Sequence, residues 1–389
     1  MSNSVLNERI KILIADSSPV YRKMFLGAVE EFDKNASVSC VDNGKDAADI
    51  IVRKNPDIVI LDTELKGAGL IELIKLVMRD TPRTFILVTS RPSSTSAKVF
   101  MEALSIGASD SMTKPIYDSY NENYDTIKTK VSDIIEVLRG HGNAIQHSDK
   151  KTLTNRDSLS VDNLDKMIDL DDESGVDGRG KKSKAAVGTK AKKITSSKSF
   201  RPQLILIAVS TGGPRALETI IPAIRPDIPV PILIVQHMPP HFIETLVGRL
   251  SSKSKLKVKV AEDGEKISGG TVYLAPGGVH MRLNHDNEVY LDDSPPIHGV
   301  RPAADALFES VAEDFAGTRV LTVILTGMGH DSLNGLIRLK DKKKCYSIAQ
   351  SEKTCVVYGM PRAVVEEGLV DKILDLDKIA AEIEGFNYI

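Results

Sequence analysis

The 389-residue sequence predicts an α/β protein built from two doubly wound parallel-sheet domains joined by a polar linker. Three patterns carry this expectation. Short apolar runs without polar alternation recur, and such runs read as strands covered on both faces of a parallel sheet. Helical periodicity follows most of them, which favours right-handed strand-helix-strand crossovers. Several runs end in a chemically useful polar residue, at the sheet edge where such folds hold ligands.

In the first domain, residues 9–140, strands are expected at 10–15, 36–41, 58–61, 85–88 and 109–112. Helices are expected at 20–31, 45–53, 70–78, 96–105 and 123–138. Asp16, Asp62, Thr89 and Lys114 fall at strand ends and so gather in one crevice. The carboxylates of Asp16 and Asp62 favour a hard divalent cation that screens their repulsion, and Thr89 and Lys114 suit phosphoryl oxygens.

Residues 141–199 change composition to Ser, Asp, Asn, Gly and Lys and lose apolar periodicity, as a flexible linker does. An acidic cluster at 169–173 precedes basic stretches at 179–184 and 190–193, which reads as a solvated spacer of compensating charge. A short helix near 159–168 would be marginal alone.

The second domain, residues 200–389, is expected to hold strands at 204–209, 231–236, 256–260, 272–275, 320–325 and 345–349. A hairpin joins 281–283 to 289–291, and the last helix is expected at 373–383. Ser210 lies on the turn Val209-Ser210-Thr211-Gly212-Gly213-Pro214, between a buried strand and a helix. That stretch also suits a plain helix start, with a hydroxyl cap, glycines and an early proline. A phosphate loop would need the lysine or spaced glycines that it lacks. His237 and Asp331 end two further strands. An imidazole can take a serine's proton, and a buried carboxylate can fix the ring. The chain order Ser, His, Asp differs from the Ser, Asp, His order of α/β-hydrolases. Thr211 and Gly212 at the helix start, and Met328 among glycines, are placed to offer N–H groups to an oxyanion. His241 offers a metal pair with His237 but no third ligand follows, and His330 competes with His237 as base.

Composition narrows the classes. Lys plus Arg number 51 against 53 Asp plus Glu, so bulk charge gives no argument for nucleic acid. Cys40, Cys345 and Cys355 are an odd set without metal spacing, which suits a reducing cytoplasm. Residues 1–9 have no apolar signal core, and no run approaches bilayer length, so a cytoplasmic protein without membrane insertion is expected.

With Asp16, Asp62, Thr89 and Lys114-Pro115, the first domain resembles a response-regulator receiver, a five-stranded flavodoxin-like fold. The resemblance implies that Asp62 is the phosphoacceptor, Thr89 the switch hydroxyl and Lys114 the phosphoryl contact. It also implies Mg2+ at Asp16 and Asp62. Ser17 stands where receivers carry a second acid that binds the metal, and Ser111 where they carry an aromatic switch residue. A weaker or rewired phospho-response is therefore expected.

The second domain resembles the Rossmann-like catalytic domain of the CheB-type protein-glutamate methylesterases of chemotaxis. The matching stretches are Ser210-Thr211-Gly212-Gly213-Pro214, Gln236-His237-Met238-Pro239, Leu274-Ala275-Pro276-Gly277, Arg301-Pro302, Leu325-Thr326-Gly327-Met328-Gly329, Asp331 and Tyr358-Gly359-Met360-Pro361. The resemblance implies Ser210 as nucleophile, His237 as base and Asp331 as orienting acid, with no cofactor for the esterase. It implies methyl-accepting chemotaxis receptors as substrates, glutamine deamidation as a second activity, and a chemotaxis histidine kinase as phosphodonor. Phosphorylation of Asp62 would then open a receiver that restricts access. Ala208 and Ser332 stand where the family has glycine. The alternative from another class is a non-catalytic signalling adaptor with a degenerate receiver. Ser17 favours it; intact Ser210, His237 and Asp331 oppose it.

Overall fold

The structure, a computed structural model, is described over residues 9–139 and 200–388, apart from Arg83, Ser94, residues 315–317 and Lys343. The expected linker, with its charged stretches and short helix, lies outside the described residues.

The first domain alternates β1 (Lys11–Ala15), α1 (Pro19–Phe32), β2 (Ser37–Val41), α2 (Gly44–Lys54), β3 (Ile58–Asp62), α3 (Leu70–Asp80), β4 (Phe85–Ser90), α4 (Ser96–Ile106), β5 (Asp110–Thr113) and α5 (Tyr120–Leu138). All five strands are parallel, in the order β2-β1-β3-β4-β5. The lack of polar alternation has a direct cause. Ile12 and Ile14 of β1 face Phe25 of α1 and Ile127 of α5, whereas Leu13 and Ala15 face the side that carries Ile51 of α2 and Leu73 of α3. Both faces are covered, so neither tolerates polar residues. The Ser119 hydroxyl accepts the Glu122 N–H at 3.5 Å and starts α5 at Tyr120, earlier than the apolar pattern alone suggests.

The second domain runs β6 (Leu204–Val209), α6 (Gly213–Ile220), β7 (Ile232–Gln236), α7 (Pro240–Lys253), β8 (Lys257–Val260), β9 (Thr271–Leu274), β10 (His280–Leu283), β11 (Val289–Asp292), α8 (Ala304–Asp314), β12 (Arg319–Ile324), α9 (Leu333–Lys342), β13 (Lys344–Gln350), α10 (Gly359–Glu366), β14 (Lys372–Leu374) and α11 (Leu376–Glu384). Seven parallel strands form one sheet, in the order β14-β13-β12-β6-β7-β9-β8. The expected hairpin is β10 with β11, antiparallel and separate from that sheet. β6 and β7 are buried along their whole length and lie at the sheet's centre.

One expectation is corrected. The helix expected from 373 begins at Leu376, because Lys372–Leu374 instead pairs with β13 as an edge strand. Edge placement leaves Ile373 half exposed, so its apolar character misled the helical reading. The helix α10 carries no long periodic pattern and was not expected. Among the described residues, no helix is long and apolar enough to cross a membrane.

Candidate active site

The Ser210 turn follows β6, the strand flanked by β12 on one side and β7 on the other. Ser210 and His237 therefore leave adjacent strand ends, with Val209 in register with Gln236. The turn is closed by the Gly213 N–H donating to the Ser210 carbonyl at 2.8 Å. Gly212 has φ +79°, a left-handed conformation that favours glycine. A Cβ on Gly327 would lie 2.8 Å from Ser210 Cβ, so the loop after β12 passes close only because that residue is glycine. The same loop carries Asp331 back towards His237.

His237 Nε2 lies 2.7 Å from Asp331 Oδ2. Asp331 is buried and its two oxygens are saturated. Oδ2 also accepts the Ala304 N–H at 2.6 Å. Oδ1 accepts the Asp305 N–H at 2.9 Å and the Ser332 N–H at 3.0 Å. The Ala304 and Asp305 donors belong to the first turn of α8, the end of a helix that favours negative charge. Burial alone would raise the Asp331 pKa, but the His237 hydrogen bond and charge and the two α8 amides outweigh it and hold the pKa below its ordinary value.

Ser210 and His237 line one small cavity of about 70 Å3, together with Gln236. Among the described residues, no hydrogen bond joins Ser210 Oγ to His237, and the amides of Thr211, Gly212 and Met328 donate to no other group. Of these three residues, Gly212 lines the cavity beside Ser210. His330 packs edge-to-face on His298 at 4.5 Å, and it is His237 that meets Asp331. His241 is exposed on α7, while His237 Nε2 is engaged by the carboxylate. Among the described residues, His298, Asp305 and Asp331 are spaced as metal ligands would be, yet their carboxylates already accept backbone N–H or histidine bonds.

The receiver forms the other wall of the cavity through Asp110 and Ser111 of β5. Thr211 donates its hydroxyl to Asp110 Oδ2 at 2.6 Å, and Lys130 Nζ lies 2.6 Å from the same oxygen. Phe100 of α4 stacks on Phe242 of α7 at 5.4 Å.

In the receiver crevice, Asp16, Asp62, Thr89 and Lys114 are all buried. Lys114 Nζ lies 2.7 Å from Asp16 Oδ2 and 3.0 Å from Asp62 Oδ1. Ser17 donates its hydroxyl to Asp62 Oδ2 at 2.7 Å. Thr89 donates to the Leu61 carbonyl at 3.5 Å. Burial raises the Asp16 pKa despite Lys114. At Asp62 burial pulls the same way, but the bonds from Ser17 and Lys114 prevail and lower its pKa. Asp16 Oδ2 is buried without a hydrogen bond, held by the Lys114 charge. Two carboxylates, one with such an oxygen, fit a hard divalent cation, with Ser17 supplying a neutral oxygen in place of an acid.

Residues 205–383 match the CheB methylesterase family and residues 12–121 the response regulator receiver domain. The chain is 34% identical over 379 residues to the protein-glutamate methylesterase/protein-glutamine glutaminase of Geobacillus kaustophilus, covering 96% of this chain and 97% of that protein. The chain belongs to the CheB methylesterase family. The protein-glutamate methylesterase/protein-glutamine glutaminase of Thermotoga maritima is 33% identical over 378 residues, covering 96% and 97% of the two chains. The crystal structure of the T. maritima CheB methylesterase catalytic domain is 44% identical, covers 47% of this chain and 98% of that one, and has a TM-score of 0.45.

In this CheB-family chain Ser210 and His237 follow β6 and β7 directly, whereas Asp331 lies in the loop between β12 and α9 and not at a strand end as expected, and the supports of all three escape sequence reasoning. The α8 amides on Asp331 and the Asp110–Thr211 bond join segments far apart in sequence. The Arg301-Pro302 stretch just before α8 was the one available signal.

Because its folded pKa is lowered, ionised Asp331 stabilises the fold fully above the ordinary value of 3.8, and that contribution fades as pH falls through the lower folded value. Urea unfolding of wild type and Asp331→Asn is expected to differ by roughly 3–5 kcal/mol near neutrality. The difference should shrink below pH 3.8. A difference independent of pH would contradict this.

Proposed function

We propose that this chain hydrolyses γ-glutamyl methyl esters on chemotaxis receptors, and deamidates glutamine there, with Ser210 as nucleophile, His237 as base and Asp331 as its orienting acid. The observation that carries the reading is the 2.7 Å contact of His237 Nε2 with Asp331 Oδ2, beside Ser210 in one cavity. The family membership supports it.

Asp331, ionised, accepts the Nε2–H and leaves Nδ1 to take the serine proton. Ser210 Oγ attacks the ester carbonyl while His237 takes its proton. The amides of Thr211, Gly212 and Met328 are the candidates to hold the oxyanion. The tetrahedral intermediate collapses, the carbonyl–methoxy bond breaks, and His237 returns the proton so that methanol leaves. Water then attacks the glutamyl-serine ester, giving its proton to His237, which passes it to Ser210. The carboxylate is released. On glutamine the leaving group is ammonia and the proton path is the same. The methyl group offers little to grip, so recognition rests on the receptor segment around it.

Access is limited in the arrangement described. A cavity of about 70 Å3 holds water molecules, not a glutamyl side chain on a helix. Asp62 is proposed as the phosphoacceptor for a histidine kinase, with Thr89 and Lys114 contacting the phosphoryl group. Mg2+, held by Asp16 and Asp62, would screen the charge of the incoming phosphate. The acyl phosphate shifts the balance towards an open arrangement only by favouring that arrangement more than the closed one. The Asp110–Thr211 bond is a contact that opening must break. The chain is proposed to work in the cytoplasm.

Ser210→Ala is expected to lower methanol release from methylated receptor membranes by at least about 10³-fold, with folding unchanged. Retained release would defeat the hydrolase reading. Asp110→Ala should raise the basal rate about tenfold, the value of one hydrogen bond to a charged group. A small phosphodonor with magnesium should raise the wild-type rate. Equal rates with Asp62 demonstrably phosphorylated would defeat the gating.

A further inference from the structure

Gln236 is the last residue of β7, and its side chain is buried beneath the nucleophile turn. Its Nε2 donates to the Ser210 carbonyl at 3.0 Å and to the His237 carbonyl at 3.4 Å. Both partners are acceptors only, so the nitrogen must be the atom that faces them, whichever way an amide is first placed. The oxygen, Oε1, is buried without a hydrogen bond. It lies over Gly213, where any Cβ would come within 1.9 Å of it. An unpaired buried oxygen is costly and calls for a reason.

We infer that Gln236 is a positioning residue that ties the backbones of Ser210 and His237 together and so sets the spacing of nucleophile and base. The inference rests on the roles proposed above for those two residues. Among the described residues, no side-chain hydrogen bond joins Ser210 to His237, so their separation is fixed through the main chain. The β6–β7 ladder pairs Val209 with Gln236 and ends where the His237 N–H donates to the Val209 carbonyl at 3.3 Å. Beyond that register the chain diverges, one branch entering α6 and the other the loop before α7. The carboxamide spans the divergence from below. The Ser210 carbonyl receives the Gly213 N–H from the turn and Gln236 Nε2 from the neighbouring strand. Gly213 and Gln236 thereby depend on each other: a side chain at 213 would expel the carboxamide that holds 210 in place.

The test uses the full-length chain. Methanol release from methylated receptor membranes gives kcat and KM, a serine-reactive fluorophosphonate reports Ser210 reactivity without receptor docking, and thermal unfolding reports the fold. Gln236→Met keeps length and loses the donor. Its kcat and labelling rate are expected to fall on the order of 10²-fold, with KM within about twofold of wild type. Gln236→Glu is nearly isosteric and restores a donor only when protonated, and burial raises a carboxyl's pKa. Its activity relative to wild type should therefore recover as pH falls. Wild-type kcat in a folded Gln236→Met would overturn the inference. So would a loss in Gln236→Glu of the same fold at every pH, which is the signature of packing alone; this second variant decides the matter should the first fail to fold. If Ser210→Ala still released methanol, the nucleophile assignment would fall and take the inference with it. An inactive Ser210→Ala beside a fully active Gln236→Met overturns the positioning role alone.

Discussion

The buried carboxylate of Asp331 is the interaction that holds the proposed site of the second domain together. A buried carboxylate is costly unless its oxygens are paired. Here four donors meet two oxygens: the His237 ring, the Ala304 and Asp305 amides and the Ser332 amide. Those donors come from three separate segments. The anion therefore does two things at once. It pins the first turn of α8 against the loop after β12, and it fixes which nitrogen of His237 faces away from it. Asp305 extends the arrangement, accepting the Gly335 N–H at 2.7 Å in α9 and facing His298 Nε2 at 2.7 Å. Fold and site share one electrostatic knot, and a change in its charge alters both.

The receiver solves a similar problem by other means. Asp16 and Asp62 are both fully buried, and Lys114 stands between them as an internal counter-ion. Ser17 contributes a hydrogen bond to Asp62 and no charge. With one acid fewer than receivers usually carry, the crevice balances its charge more nearly by itself. β5 links this crevice to the esterase in physical terms. Asp110, its first residue, accepts the Thr211 hydroxyl, and Lys114 follows its last residue and contacts Asp62. One short strand thus carries a charged contact at each end, one to the esterase and one to the crevice.

Much of this was legible in the sequence because parallel α/β sheets write their active edge into the chain. Apolar runs mark the strands, and the polar residue that stops each run marks the edge. Ser210, His237, Asp16, Asp62 and Lys114 stand at such strand ends, whereas Asp331 lies in the loop between β12 and α9. The failures share a cause. Ile373 is apolar but lies on an edge strand, where side-chain pattern follows pairing and not helical periodicity. Gln236 ends an expected strand, and nothing in linear text shows that its amide spans two diverging segments. The α8 amides carry no side-chain signature at all. Backbone donors and cross-domain contacts such as Asp110 with Thr211 exist only once the chain is folded.

The central claim is that Ser210 and His237 act as one unit on the ester, with Asp331 holding the ring. A double-mutant cycle on methanol release tests it most directly, comparing Ser210→Ala, His237→Ala and the pair in the full-length chain. Groups that share one proton transfer are strongly non-additive. The pair should therefore be no slower than the slower single variant. Losses that add, with the double variant slower by the product of both factors, would show that the two residues work independently and would contradict the account.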